Sequence, residues 1–124
     1  MADVAFARTP EGLLYLNALK LAERELKDAH AALARAESDG RVAEALAGRL
    51  EREAARRLLR LLEKHADARR FFVAVDSRFS ALCAVLGCDA DERREALRPY
   101  MNLECGAFLL RRALRGILAR GGRA

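Results

Sequence analysis

The sequence predicts a small, soluble, all-α protein. It would be a long antiparallel helical hairpin with three or four shorter helices packed on it, in a single domain of 124 residues. Composition is the first basis for this prediction, because Ala, Leu, Arg and Glu dominate the chain and lose little side-chain freedom in a helix. Residues that suit a pleated strand are scarce, with two Tyr, five Phe and no Trp. The second basis is spacing, because apolar residues recur every three or four positions over most of the chain.

The first long helix is predicted over 10–38, after a loose lead-in at 1–8. Thr9 offers an N-cap oxygen, Pro10 suits the first helical position, and Glu11 faces the positive end of the helix dipole. An apolar stripe then repeats at alternating spacings of 4 and 3 along Tyr15, Leu19, Ala22, Leu26, Ala29, Leu33 and Ala36. Such a narrow stripe is typical of a helix that packs along a partner helix.

The second long helix is predicted over 41–65, after a stop at 38–40 that contains Gly40. Its apolar positions share one helical face and are Val42, Leu46, Leu50, Ala54, Leu58, Leu61, Leu62 and His65. Because the connection is tight, the two helices should run antiparallel, with arms of roughly 40 Å. A pairing centred on residue 39 would keep His30 and His65 apart.

The hairpin would be too long for the remaining residues to cover. Its exposed part is therefore expected to pair with a second copy and form a homodimer. The leucines that would form this oligomer interface are Leu19, Leu26, Leu33, Leu46 and Leu50.

Residues 67–120 are predicted to form a bundle of short helices. The apolar cluster within 67–77 fits either a helix or a strand. A helix capped by Asp76 and Ser77 and ended by Gly87 follows, and Asp89 with Glu92 has the spacing of a capping box that opens the next helix.

Three further signals divide the end of this bundle. Pro99 is predicted to break the helix that Asp89 opens, because proline cannot donate a backbone hydrogen bond. Asn102 can cap the last helix, and Gly121 with Gly122 would end it. The apolar positions of this helix are Leu103, Phe108, Leu109, Leu110, Leu114, Ile117 and Leu118.

The net charge of +5 is concentrated in the C-terminal part of the sequence. Residues 1–66 carry 12 basic and 11 acidic side chains, whereas residues 98–124 carry six Arg and a single acid, Glu104. This asymmetry indicates a polyanion partner. Only three of the 23 basic residues are Lys, so a bias of the genome toward Arg codons is the competing explanation.

Residues 78–98 have the outline of a helix-turn-helix. The second helix would present Arg93, Arg94 and Arg98 to a nucleic-acid groove. It also begins with acids that repel phosphate, including Asp91, so a plain corner between two bundle helices explains the same pattern.

A basic stripe runs along the second long helix. Arg52, Arg56 and Arg60 recur every four positions and could follow a phosphate backbone. The alternative is a solvated face, because Glu53 lies at pairing distance from Arg49 and Glu63 at pairing distance from Arg60.

The last helix carries the least compensated charge, with Arg111, Arg112 and Arg115 close together and Glu104 the sole acid in the segment. We expect these arginines to be the main phosphate contacts. Cations in a final helical turn also complement the helix dipole, which explains Arg120 better than Arg111.

A metal or nucleophile site is not expected. Cys83, Cys88, Cys105 and His65 could supply four ligands, but the spacing of the first two cysteines is not that of a zinc hook. No orienting carboxylate supports a cysteine nucleophile, and free cysteines commonly serve as small buried hydrophobes. Because neither site is supported by the residues, we expect no catalysis, no metal and no cofactor. An odd number of cysteines favours a reduced, cytoplasmic protein.

The stretch 79–89, FSALCAVLGCD, is followed by Arg93, Arg94 and Leu97. It resembles a segment of small helical proteins of phages and mobile elements, in which a Cys, a Leu-Gly pair and an Asp precede an arginine-rich helix. The resemblance covers residues 79–97 and transfers no functional residue. It implies a phage or prophage origin and work linked to DNA.

The expected function is therefore non-enzymatic nucleic-acid binding, as a phage-type regulator or packaging factor. The alternative is a helical protein–protein interaction module, an adaptor or an inhibitor of a host protein, which acts through the hairpin face or an apolar patch on the last helix. No apolar run approaches the roughly 20 residues of a membrane span, so no membrane partner is expected.

Overall fold

The computed structural model describes residues 8–73, 78–103 and 106–121. Within these ranges the chain forms six helices: α1 (Pro10–Ser38), α2 (Arg41–Leu46), α3 (Arg52–Val73), α4 (Arg78–Leu86), α5 (Ala90–Met101) and α6 (Ala107–Gly121). The described residues contain no strand, so the all-α prediction is confirmed. None of these helices is both long enough and apolar enough to cross a membrane.

Helix α1 begins and ends where the sequence predicts. The Thr9 hydroxyl accepts a hydrogen bond from the Gly12 backbone N–H at 3.1 Å, and Pro10 occupies the first turn. The helix ends at Ser38, and Gly40 follows with a φ of +79°, a conformation in which glycine has no steric penalty.

The prediction of a continuous second helix over 41–65 is wrong. Helix α2 ends at Leu46, and α3 begins only at Arg52. Gly48 has a φ of +75°, and the Arg49 N–H bonds back to the Glu44 carbonyl at 2.8 Å, a glycine-dependent helix end. The apolar spacing runs through this break without a change of phase, which is why periodicity alone did not detect it.

Helix α3 also extends beyond the predicted end, to Val73. The first part of the 67–77 segment, left open between helix and strand, is therefore helix. Residues 74–77 lie outside the described residues, and so does the predicted cap at Asp76 and Ser77.

The prediction that His30 and His65 lie apart is also wrong, because their ring centroids are 6.3 Å from one another. Helices α1 and α3 pack antiparallel, since Leu33 shares a core cluster with Leu58 while Leu19 shares another with Phe72. The midpoint of positions 30 and 65 falls between Ala47 and Gly48, not at residue 39. The connection that contains α2 lengthens the turn and shifts the register of the pairing accordingly.

The described residues bury two hydrophobic clusters. The first joins the C-terminal half of α1 to α2, the N-terminal half of α3 and α6, through Leu33, Ala36, Val42, Ala45, Leu50, Ala55, Leu58, Leu62, Leu110, Leu114 and Ile117. The second joins the N-terminal half of α1 to the end of α3, α4 and α5, through Leu19, Leu26, Phe72, Phe79, Cys83, Leu86 and Leu97. Each fully buried Leu or Phe contributes roughly 1.5–3 kcal/mol, so these clusters supply the main stabilisation of the fold.

Four of the five leucines predicted to join two copies lie inside a single chain. The buried ones are Leu19, Leu26, Leu33 and Leu50, whereas Leu46 is exposed. Side chains already covered by their own chain are not available to a second copy, so this predicted oligomer interface does not fit the fold. Helix α3 and the shorter helices cover the apolar stripe of α1, part of which was expected to pack against a second copy of the chain.

The end of the bundle also departs from two predictions. Helix α5 continues through Pro99 to Met101, because a proline in the last turn removes only one backbone hydrogen bond. Asn102 has extended backbone and ends α5 rather than capping the next helix. Helix α6 begins at Ala107, directly after Gly106, whose φ is +76°.

Candidate nucleic-acid interface

The buried side of α6 determines which of its residues face outward. Leu110, Leu114 and Ile117 are buried against α2 and α3. Positions 108, 111, 112 and 115 are related by spacings of three, four and seven, so they lie along one side of the helix away from that core. We call the side formed by Phe108, Arg111, Arg112 and Arg115 the α6 outer face. Arg112 and Arg115 are exposed on it, and Arg111 is half-buried.

Among the described residues, no acid compensates the α6 outer face. Helix α6 contains no Asp or Glu at all. Within the described ranges, no acidic side chain lies at ion-pair distance from Arg111, Arg112 or Arg115. Unpaired guanidinium groups on a helix side without acids produce a local positive potential that attracts anions.

Arg111 also lines a groove between α3 and α6. Its neighbours in that groove are Arg69 and Arg70, and the space between them has a volume of about 500 Å³. The groove floor is mixed, with two polar residues among apolar ones, and is formed by Leu62, His65, Ala66, Val73, Met101, Asn102, Leu103 and Ala107. Arg70 bonds to Asp67 at 3.3 Å, an exposed ion pair that contributes little stability. We call the three cations and this floor the arginine groove.

The predicted basic stripe on the second helix is present but divided. The expected pairs of Arg49 with Glu53 and of Arg60 with Glu63 do not form, and Glu53 instead accepts from Arg56 at 3.4 Å. Arg52 and Arg56 are exposed near the start of α3. Arg60 lies in a separate shallow depression, which is lined also by Arg41, Arg57, Leu61, Glu63, Lys64 and Asp67.

Arg93 does not point outward as a recognition helix would require. It donates to a Glu23 carboxylate oxygen on α1 at 2.7 Å, and the two side chains are 35 % and 20 % exposed. The acid that holds Arg93 is 70 residues away in the sequence, so no local pattern could have identified it.

Arg94 is engaged more completely. Its guanidinium donates to the Phe72 carbonyl at 2.6 Å and to the Ser80 hydroxyl at 2.8 Å, and it lies 5.1 Å from the Phe79 ring centroid. A further bond, to Asp91, is 3.1 Å long. The two arginines therefore fasten α5 to α1, α3 and α4. The prediction that they contact phosphates does not fit these contacts.

Arg98 is different, because it is exposed and bonds only to Glu95 on its own helix at 3.2 Å. Helices α4 and α5 form a corner around Gly87, whose φ is +73°. The predicted cap is confirmed, because Asp89 accepts from the backbone N–H groups of Asp91 and Glu92. This corner is a packed part of the bundle, and of the three arginines predicted to face a groove, Arg98 is the exposed one.

The cysteines form part of the helix packing. The Cys88 N–H bonds to the Cys83 carbonyl at 2.9 Å across the end of α4, which brings the two side chains together. Burial and the neighbouring Cys88 thiol raise the pKa of Cys83 to about 12, so this thiol is a poor nucleophile at neutral pH. Cys105 lies outside the described residues.

His65 is the buried polar side chain of the α1–α3–α5 junction. Its Nε2 lies 2.7 Å from the Tyr100 carbonyl oxygen, to which it donates, and its neighbour His30 packs edge-on to the Tyr100 ring. Burial lowers the pKa of His65, so the imidazole is neutral near pH 7. No three His, Cys, Asp or Glu side chains of the described ranges come together as a metal site would require.

Sequence reasoning missed the aromatic residue of the α6 outer face. Phe108 was counted among the apolar positions of the last helix, yet its side chain is 72 % exposed. The available signal was helical phase, because position 108 lies on the opposite side of the helix from Leu110, Leu114 and Ile117. Leu109 is exposed as well, toward a depression between α2 and α6.

Comparison with known proteins finds no matching family model, no matching curated protein and no matching solved structure.

Proposed function

We propose that this protein is a non-enzymatic nucleic-acid-binding protein that contacts phosphate groups with Arg111, Arg112 and Arg115. The observation that carries the proposal is the α6 outer face, which has these three cations, no acid on its helix and no ion pair to a described side chain. The adjacent arginines of α5 differ, because Arg93 is held by the Glu23 carboxylate and Arg94 by the Phe72 carbonyl.

The arginine groove extends this surface onto α3. Arg69 and Arg70 share a groove with Arg111, so Arg111 belongs both to this groove and to the α6 outer face. Arg52, Arg56 and Arg60 on α3 and Arg98 on α5 would supply weaker, peripheral phosphate contacts. Phosphate contacts determine position and salt dependence and do not read a base sequence. A phage-type regulator or packaging factor in the cytoplasm fits such binding.

A titration of labelled single-stranded and duplex oligonucleotides at about 50 and 200 mM salt tests this proposal. The variant is Arg111→Glu/Arg115→Glu. The matched control is Arg24→Glu/Arg35→Glu, which makes the same charge change on exposed positions of α1. We expect the wild type to bind at low salt and weaken steeply at higher salt, the α6 variant to lose binding and the control to retain most of it.

Absence of wild-type binding at low salt would overturn the proposal, because even non-specific phosphate contacts form there. Equal losses in both variants would show that net charge, rather than the α6 outer face, determines binding.

A second candidate function is a helical protein–protein interaction module, with a second copy of the chain as its first partner. The favouring observation is on α1, where Leu14 and Leu21 are 71 % and 54 % exposed and lie two helical turns apart on one side. Association through this side should hardly change with salt and should be lost in Leu14→Glu/Leu21→Glu. Sedimentation of wild type and variant at two salt concentrations distinguishes it from nucleic-acid binding.

A further inference from the structure

Phe108 is the exposed aromatic of an otherwise cationic surface. An aromatic side chain normally buries much of its surface, because doing so contributes several kcal/mol. Phe108 is instead 72 % exposed, whereas Phe72 and Phe79 are fully buried in the second cluster.

The helix places Phe108 directly among the three arginines. Arg111 and Arg112 are three and four positions further along, so their side chains neighbour Phe108 at roughly 5–6 Å between Cβ atoms. Arg115 follows on the same side, about 10 Å along the helix axis from position 108. The α6 outer face therefore offers one aromatic ring with cations beside and beyond it.

Gly116 adds a second observation on this helix. A Cβ added there would meet no atom within 4 Å, and its φ lies outside the left-handed region, so neither packing nor backbone conformation requires glycine. Glycine inside a helix costs about 1 kcal/mol relative to alanine. Gly116 lines the depression between α2 and α6 together with Leu109 and Arg112, at the edge of the α6 outer face. The absence of a side chain leaves that edge uncovered.

We propose that the α6 outer face binds single-stranded nucleic acid, with the Phe108 ring stacked on an unpaired base and Arg111, Arg112 and Arg115 on the adjoining phosphates. This inference rests on the proposed function and specifies its ligand. Every base has an aromatic face, so stacking on one phenyl ring binds single strands with little sequence preference. A duplex keeps its bases stacked on one another, and opening a step for Phe108 would cost a few kcal/mol.

The absence of Trp from the sequence provides a direct test. Phe108→Trp places a single indole at the proposed stacking position. Leu109→Trp is the matched control, since residue 109 is also exposed but lies about 100° further round the helix, toward α2. With single-stranded oligonucleotide at low salt, we expect saturable quenching of the Phe108→Trp fluorescence. Much weaker quenching is expected for the control, or with a duplex of equal length.

Affinity measurements with Phe108→Ala complete the test. We expect binding of single strands to weaken by about 5- to 100-fold, the range that loss of one stacked base gives, while duplex binding changes less than about twofold. Phe108→Tyr, which keeps an aromatic ring at this position, should bind single strands with an affinity close to that of the wild type. Because the side chain is exposed, urea unfolding of Phe108→Ala should match the wild type and exclude a folding defect.

The failures of the two proposals are distinguishable. If the wild type binds both forms equally and Phe108→Ala changes neither, the stacking inference is wrong and phosphate binding stands. If Phe108→Ala abolishes self-association instead, the face joins two copies of the chain and the stacking inference is also wrong. If the wild type binds neither form at low salt, both proposals fail.

Discussion

Helices α5 and α6 both carry closely spaced arginines, and the fold uses them in opposite ways. On α5, Arg93 and Arg94 turn into the molecule and bond to α1, α3 and α4. On α6, Arg112 and Arg115 turn outward and bond to no described acid. The number of arginines on a helix is therefore a poor guide to the ligand it binds.

The cause of the difference is the apolar content of each helix. Helix α6 has a complete buried row in Leu110, Leu114 and Ile117, so its arginines are not needed for packing. Among the described side chains of α5, only Leu97 is buried, and Ala90, Tyr100, Met101 and the arginine stems with their hydrogen bonds complete the contact. Four predictions test this contrast.

The largest effect on stability is expected for Arg94→Leu. The change leaves the Phe72 carbonyl and the Ser80 hydroxyl without their charged donor, so the free energy of unfolding should fall by about 2–3 kcal/mol. Urea unfolding measures this change, provided that the dependence of the unfolding free energy on urea concentration is the same in both proteins. The control is Arg98→Ala, which removes only the exposed ion pair with Glu95. A stable Arg94→Leu variant with reduced nucleic-acid affinity would reverse the roles assigned to α5 and α6.

The next effect is a loss of stability in acid that depends on His65. Burial lowers the pKa of His65 in the fold, whereas the unfolded chain takes up a proton near pH 6.5, so acid favours the unfolded chain. The contribution of the neutral imidazole is complete above that pH and is lost as the pH falls below it. His65→Gln, which can still donate to the Tyr100 carbonyl, should remove this part of the pH dependence in urea unfolding at pH 7.5 and 5.5.

His30 is the titratable ring that faces His65 from α1, and Arg69 faces it from α3. If the pH profile of unfolding is unchanged by His65→Gln but flattened by His30→Gln, the loss of stability in acid depends on His30 and not on His65. Nucleic-acid binding per folded molecule should persist over this pH range.

A smaller coupling is expected between Arg93 and Glu23. A double-mutant cycle of Arg93→Ala and Glu23→Ala should give an interaction free energy of about 1 kcal/mol, because the pair is short but partly exposed. The coupling should decrease at high salt. A coupling of zero would mean that α5 is held by its other contacts alone.

The smallest effect on stability is expected for Arg112→Ala. The side chain is exposed and bonds to no described residue, so the free energy of unfolding should change by less than about 0.5 kcal/mol. Nucleic-acid affinity should nevertheless fall, and the slope of log affinity against log salt should decrease by about one. A variant that binds unchanged would remove Arg112 from the proposed interface.

Sequence alone predicted the features that depend on local chemistry. The start of α1 at Thr9, the cap at Asp89 and the helix end at Gly87 each follow from one residue type with a known local hydrogen bond. The all-α class follows from composition and spacing over the whole chain. The acid-free character of α6 is likewise a property of the sequence itself.

Features that depend on register or on distant partners were not predictable in the same way. Gly48 breaks the second helix although the apolar spacing continues through it, and this break moves His30 and His65 together. The contact of Arg93 with Glu23 depends on the same register. Phe108 could have been placed outside by helical phase, but only after the row beginning at Leu110 was known to be the buried one.

Helix α6 also has a position in the order of folding. It is the last of the six helices to be synthesised, and the first hydrophobic cluster is incomplete until Leu110, Leu114 and Ile117 arrive. Until then, the matching apolar faces of α2 and α3 are without their cover. The same helix carries the outward arginines, so docking of α6 both closes this cluster and fixes the direction of the cations. A nascent chain would thus acquire its ordered cationic surface in the step that completes its core.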